Sequence, residues 1–255
     1  MPKSKPPGGL HAQTIDAVIA SLDRIVDWSI ENNQRTGYFA ALYRKVTINV
    51  KHGIDNGTFD DAARMERLDV IFANRYLDAF EAYYAGLPVT QSWQLAFEAT
   101  ERWFPLVLQH LMIGMNAHIN LDLGIAAAET VPAEQLAKLE TDFNKINTLL
   151  IGMIDEVEKN LAKIWPLFSL MDKLAGRLDE KLAAQSMEFA RNQAWKYALT
   201  YAAATDKETC IHDMDSRLCL LAKGLLGVGL LELSWFLFIR VLERGNVAKK
   251  ITALV

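Results

Sequence analysis

The sequence predicts an all-α protein, and three observations carry that prediction. Apolar residues recur at spacings of three and four along nearly the whole chain, the pattern of helices that bury one stripe. No stretch of four or more residues sustains an apolar–polar alternation, so no strand is required. Of 255 residues 51% are hydrophobic, with only 14 Gly and 7 Pro. A chain this apolar offsets the entropy of ordering, which excludes disordered and collagen-like classes.

The opening MPKSKPPGGL lacks the apolar core of a secretory signal and reads, through residue 12, as a disordered tail on a cytoplasmic protein. A single helical domain over residues 13–255 follows, since no repeat, linker or composition shift divides it. The first helix is expected from Thr14, as N-cap, to Asn32, burying Ile15, Val18, Leu22 and Ile25. The second covers Tyr38 to Val50 and stops near Gly53. Asp60 and Asp61 open the third, which ends at Gly86 and Pro88 and carries its acidic pair at the positive end. Thr90 caps the fourth, to Trp103.

Pro105 suits the first position of the fifth helix, where its missing N–H has no intrahelical partner. This helix, about 105–128, is apolar almost all round, so the sequence makes it the buried centre of a multi-helix bundle. An amphipathic helix then runs from Thr130 and Pro132 to Pro166, followed by a short one over Leu167 to Leu178. A more polar helix spans Asp179 to Ala204, with Arg191 and Trp195 spaced for a cation–π contact. The region from Lys207 to Glu243 closes the chain as a helix or helix pair.

Charge and cysteine content narrow the function classes. A net charge of −4 is too small to steer the chain toward nucleic acid. The 2 cysteines, Cys210 and Cys219, are too far apart on a helix for a local disulfide and suit a reducing compartment. The 16 residues between Lys223 and Arg240 form the most apolar segment, shorter than the roughly 20 that cross a bilayer. Glu232 at its middle argues further against a span, so the segment reads first as a buried core helix, with peripheral membrane contact as the membrane alternative.

The densest polar chemistry lies inside the apolar fifth helix, in QHLMIGMNAHINLDLG. His118 and Asp122, four apart, share one face, a spacing that suits two ligands of a divalent metal ion, zinc or manganese. It equally suits a histidine oriented by a carboxylate for proton transfer. His110 and Gly114 continue that row, and His110 is a third catalytic candidate, although it lies roughly 12 Å along the axis from His118. Asn116 and Asn120 form a second polar pair. With Arg75 for an anionic group and Tyr76 as a hydrogen-bond donor, they are the substrate-binding candidates. Asp69, Asp78, Glu81, His212, Asp213, Asp215 and Glu232 are the residues from which a metal would recruit its remaining ligands. The bland alternative is a buried His118–Asp122 hydrogen bond, but four polar groups on one apolar helix exceed what packing requires.

No HExxH, GxSxG, P-loop, GxGxxG, CxxC or DDxxD motif occurs, and no glutamate stands three residues before a histidine. On YRKVTINV, the stretch FDDAARMERLDVIFANRYLDAF from Phe59, and HLMIGMNAHINLDLG, the chain resembles a bacterial family catalogued as domain of unknown function 5995. Its MNAHIN-x-DL element reads Met115 to Leu123 here without departure. The resemblance covers most of the chain and implies an all-α fold, with no established reaction, cofactor or partner. More distantly, His118-x-x-x-Asp122 is similar to the helix-borne ligands of zinc-dependent phospholipase C and related nucleases, which need several further histidines and an amino-terminal ligand after processing, whereas this chain has 5 histidines in all. Two functions are therefore expected. One is a metal-assisted hydrolase acting on a small-molecule or lipid-like substrate, with His118 and Asp122 on the ion. The other is a non-catalytic helical module that binds an apolar ligand or a partner helix.

Overall fold

In a computed structural model, residues 4–165, 177–227, 237 and 239–255 are described. Every regular element among them is helical, so the chain is all-α. Helix α1 (Ile15–Glu31) starts where Thr14 accepts a hydrogen bond from the Ala17 amide, and packs along α2 (Gly37–Asp55). Helix α3 (Ala62–Tyr84), capped by Asp61, lies across both. Helix α4 (Gln91–Glu101) leads to the central element, built from α5 (Val107–Ala117), a π-helical turn (His118–Asp122) and α6 (Leu123–Thr130).

Central is the right word for it. Between them, α5, the π turn and α6 touch α2, α3, α4, α7 (Leu136–Gly152), α9 (Arg177–Ala203) and α10 (Lys207–Leu226). Leu111, Ile113, Ala117, Leu121 and Ile125 are all sealed from solvent. Helix α8 (Ile154–Ile164) and the final α11 (Val247–Leu254) close the side near α1.

Several sequence expectations need correction. Residues 4–12 are not a loose tail: Leu10 is fully buried, its amide meets Glu81 and its carbonyl accepts from Ser21, while Asn74 pairs with both Ala12 backbone groups. Burial of one leucine and satisfaction of its backbone hold a segment whose Pro and Gly content alone reads as disordered. The helix expected from Thr130 to Pro166 breaks at Met153, where Gly152 weakens α7 and Asp155 and Glu156 favour a new N-terminus for α8. Pro105 precedes the first turn of α5, and Thr90 makes no capping bond.

Those helix starts are capped from afar. Asp215 of α10 accepts from the Gln91 and Ser92 amides at the start of α4, at 2.5 and 2.9 Å. Glu243 accepts from the Val107 amide of α5 at 2.8 Å, and Asp142 of α7 accepts from the Asp60 and Asp61 amides before α3. Each buried acid answers amides that have no intrahelical acceptor. The expected helix over Leu167 to Leu178 and Glu232 in the apolar segment lie largely or wholly outside the described residues. Among the described residues no helix is long and apolar enough to cross a membrane.

Candidate ligand site around His118

The π turn widens the central element by one residue, and the Leu123 amide bonds back to the His118 carbonyl five positions earlier. His118 and Asp122, at the two ends of this turn, are both sealed from water. Asp122 Oδ1 accepts from Arg75 Nε at 2.8 Å; Oδ2 accepts from Trp93 Nε1 at 2.8 Å and lies 3.2 Å from His118 Nδ1. Burial alone would raise the Asp122 carboxyl, but Arg75, with help from His118 and Trp93, outweighs it and holds the group below the ordinary carboxylate range. An ionised carboxylate only accepts, so Nδ1 carries the imidazole proton. Burial lowers the His118 pKa despite the neighbouring carboxylate, and the ring is neutral at pH 7.

That leaves Nε2 as an acceptor, and it is buried without a partner among the described residues. The ring is fixed by aromatics on two sides. It stacks on Phe72 with centroids 3.6 Å apart and planes 9° from parallel, and Tyr43 meets it edge-on at 4.4 Å. Phe39 adds a second edge at 5.7 Å. Phe39 reaches this place because residue 114 is glycine: a Cβ there would stand 2.6 Å from its ring. The close approach expected at Gly114 is therefore made by α2.

His118 lies on the wall of a cavity of about 590 Å³ between α2, α3, the central element, α7, α8 and α9. The wall is mostly apolar, with Leu111, Met115, Ile146 and Met153 among its residues. Its polar members are few. Asn116 and Asn120 hold one another, 3.0 Å apart, and Asn116 also donates to the Leu218 carbonyl at 3.1 Å, which ties the π turn to α10. Asp69 is buried, its Oδ2 has no partner among the described residues, and burial with the nearby Glu66 carries its pKa up to about 7. Glu158 of α8 and Arg191 of α9 are also on the wall.

The other candidates are placed elsewhere. Arg75 is not paired with Asp78 along α3: it reaches Asp122, while Asp78 bonds His11 at 2.9 Å. Arg75 also lines a polar surface groove of about 600 Å³ with Glu66, Arg67 and Glu129. Tyr76 and His110 line a small separate void of about 20 Å³ on the far side of Phe39. Among the described residues His110 has no hydrogen-bond partner on either ring nitrogen, and burial together with Arg35, Arg240 and Lys250 lowers its pKa to about 3. It does not join His118. Arg191 lies over Phe143 at 4.3 Å, not over Trp195, because α7 inserts that ring between them.

The reserve of metal ligands is also dispersed. Asp215, Asp78 and Glu81 are spent on backbone amides or on His11, and His212 and Asp213 are exposed beside one another. Among the described residues no three His, Cys, Asp or Glu side chains converge on a point where an ion would sit. The donor set of a zinc or manganese centre is thus not assembled there, since both Asp122 oxygens already carry strong donors. Cys210 and Cys219 do not pair; Cys210 faces Met214.

A family model described as a family of unknown function, DUF5995, matches residues 15–228. The chain belongs to that family. In this DUF5995 protein the match runs from the first residue of α1 past the end of α10, so Phe39, Asp69, His118 and Arg191 all lie within it and α11 lies outside. Neither the curated proteins nor the solved structures give a match. Spacing points to Arg191 only as a neighbour of Trp195 and not as a companion of Asp69 on the cavity wall, and with Glu188 three residues before it nothing local marks it as unpaired.

Proposed function

We propose that this DUF5995 protein binds a lipid-like or other apolar small molecule in the cavity beside His118, which accepts a hydrogen bond from the ligand's polar group. One observation carries the reading: a buried, neutral imidazole, locked in one tautomer and with Nε2 unpartnered among the described residues, stands on the wall of a cavity of about 590 Å³. Unpaired buried acceptors are rare because they cost about 1 to 3 kcal/mol. An apolar enclosure with a few polar groups is the usual form of a small-molecule site.

A second reading is favoured by the Asp122–His118 couple itself. A carboxylate that orients a histidine leaves Nε2 able to take a proton from a bound ligand, as a general base needs. A metal-assisted hydrolase has less support, for the reason that Asp122 is already saturated by Arg75, Trp93 and His118.

Calorimetric titration with 1-dodecanol tests the main reading. Binding is expected, with a negative heat-capacity change, and His118→Leu should weaken it up to about tenfold while keeping the cavity apolar. Absence of binding to the native protein would refute it. Zinc or manganese added to chelator-treated protein is expected to leave the melting temperature unchanged; a rise that His118→Leu abolishes would transfer support to the metal-assisted enzyme.

A further inference from the structure

Four Lys and Arg side chains are buried among the described residues: Lys45, Arg191, Arg240 and Lys250. Three of them meet a glutamate. Lys45 reaches Glu156 at 2.8 Å, and Arg240 and Lys250 share Glu243 at 2.7 and 2.8 Å. Arg191, only 3% exposed, has no acidic partner among the described residues. Its guanidinium lies over the Phe143 ring, one terminal nitrogen donates to the Phe143 carbonyl, and Nε has no partner among the described residues. A ring face and one carbonyl do not neutralise a cation, and an uncompensated buried charge is costly. Burial draws its pKa to about 9, so the charge persists at neutral pH.

This cation borders the cavity that also holds His118. From that placement we infer that the ligand is a single-chain amphiphilic anion, with a carboxylate or phosphate head that pairs with Arg191 and a hydrocarbon chain that fills the cavity. The inference rests on the ligand-binding reading above and adds the sign and position of the head group. A guanidinium offers two parallel donors to either kind of head. Arg191 on α9 and His118 on the π turn stand on different elements, so one ligand can present an anion to the first and an O–H or N–H to the second.

The experiment compares dodecanoate, monododecyl phosphate and 1-dodecanol by calorimetry on the full chain, the two anions below their critical micelle concentrations and the alcohol below its solubility limit. At least one anion is expected to bind about tenfold or more tightly than the alcohol, with the stronger of the two naming the head. Arg191→Gln should remove that margin and leave the alcohol's affinity within about twofold. If Arg191→Gln does not fold, the margin in the native protein decides, with Arg191→Lys expected to retain part of it. Equal affinities for anions and alcohol, or a margin that survives in Arg191→Gln, would overturn the inference and leave the apolar-ligand reading intact. No binding of any of the three would overturn both.

Discussion

The acids of this protein act in two opposite ways, according to what surrounds each one. Asp122 is buried among donors and held ionised, whereas Asp69 is buried beside the cavity with Oδ2 unpaired and its pKa near 7. From its ordinary value of 3.8 up to about 7, the folded state holds the Asp69 proton more tightly than the unfolded chain does. Unfolding free energy contributed by this group therefore falls as pH rises through that window. Asp69→Asn removes the effect: thermal melts should show it equal to the native protein near pH 4 and more stable at pH 8, by a few kcal/mol at most. No gain at pH 8 would mean that Asp69 is satisfied in solution. The pairing of His118 with Asp122 was legible from their spacing of four. Their partners were not, since Arg75 and Trp93 lie 47 and 29 residues from Asp122 and nothing local points to them.

At the scale of elements, most helices were legible because a buried stripe repeats every turn whatever else surrounds it. Their joints were not. The break at Met153 leaves the apolar series Leu150, Met153 and Val157 in step, so periodicity runs straight through it. Long-range caps are equally hidden, as with Asp215, which serves an amide 124 residues away. Gly114 and Gly124 mark the two closest approaches of the central element and differ in what they meet. A Cβ at Gly124 would stand 2.7 Å from the Ala194 carbonyl oxygen, so two helix backbones must part. At Gly114 it would meet the Phe39 ring, which is buried against Tyr43, Tyr76, Trp93 and His118. Gly124→Ala and Gly114→Ala should thus each lose about 1 to 3 kcal/mol in denaturant titrations. Gly114→Ala should in addition shift dodecanol affinity through Phe39. No loss in Gly124→Ala would mean that α6 and α9 are not in register as described.

Across the whole molecule, the amino-terminal segment works as a strap over α1 and α3. Gly9, at a φ of 66°, turns the chain; Arg24 holds the Gly8 and Gly9 carbonyls; Leu10 drops into the core. Composition failed here because it averages over a segment whose hold depends on one side chain. Leu10→Ala is expected to cost about 2 to 4 kcal/mol by chemical denaturation, the loss typical of a sealed leucine. A change near zero would restore the disordered tail.

The π turn has a consequence for the bundle that is best expressed as phase on a screw thread. An α-helix advances about 100° per residue, so Gly114 and Gly124 in an unbroken helix would face directions about 80° apart. One surplus residue in the turn resets that angle to about half a revolution. One glycine then looks toward Phe39 of α2 and the other toward Ala194 of α9. The central element is thereby two-sided, its halves geared to opposite neighbours, and the residue that sets the gearing lies in the same turn as His118 and Asp122. Tightening that turn into α-helix with all its residues kept would swing all of α6, and everything packed on it, away from its partner while leaving each half perfectly helical, whereas deleting the surplus residue would preserve the phase.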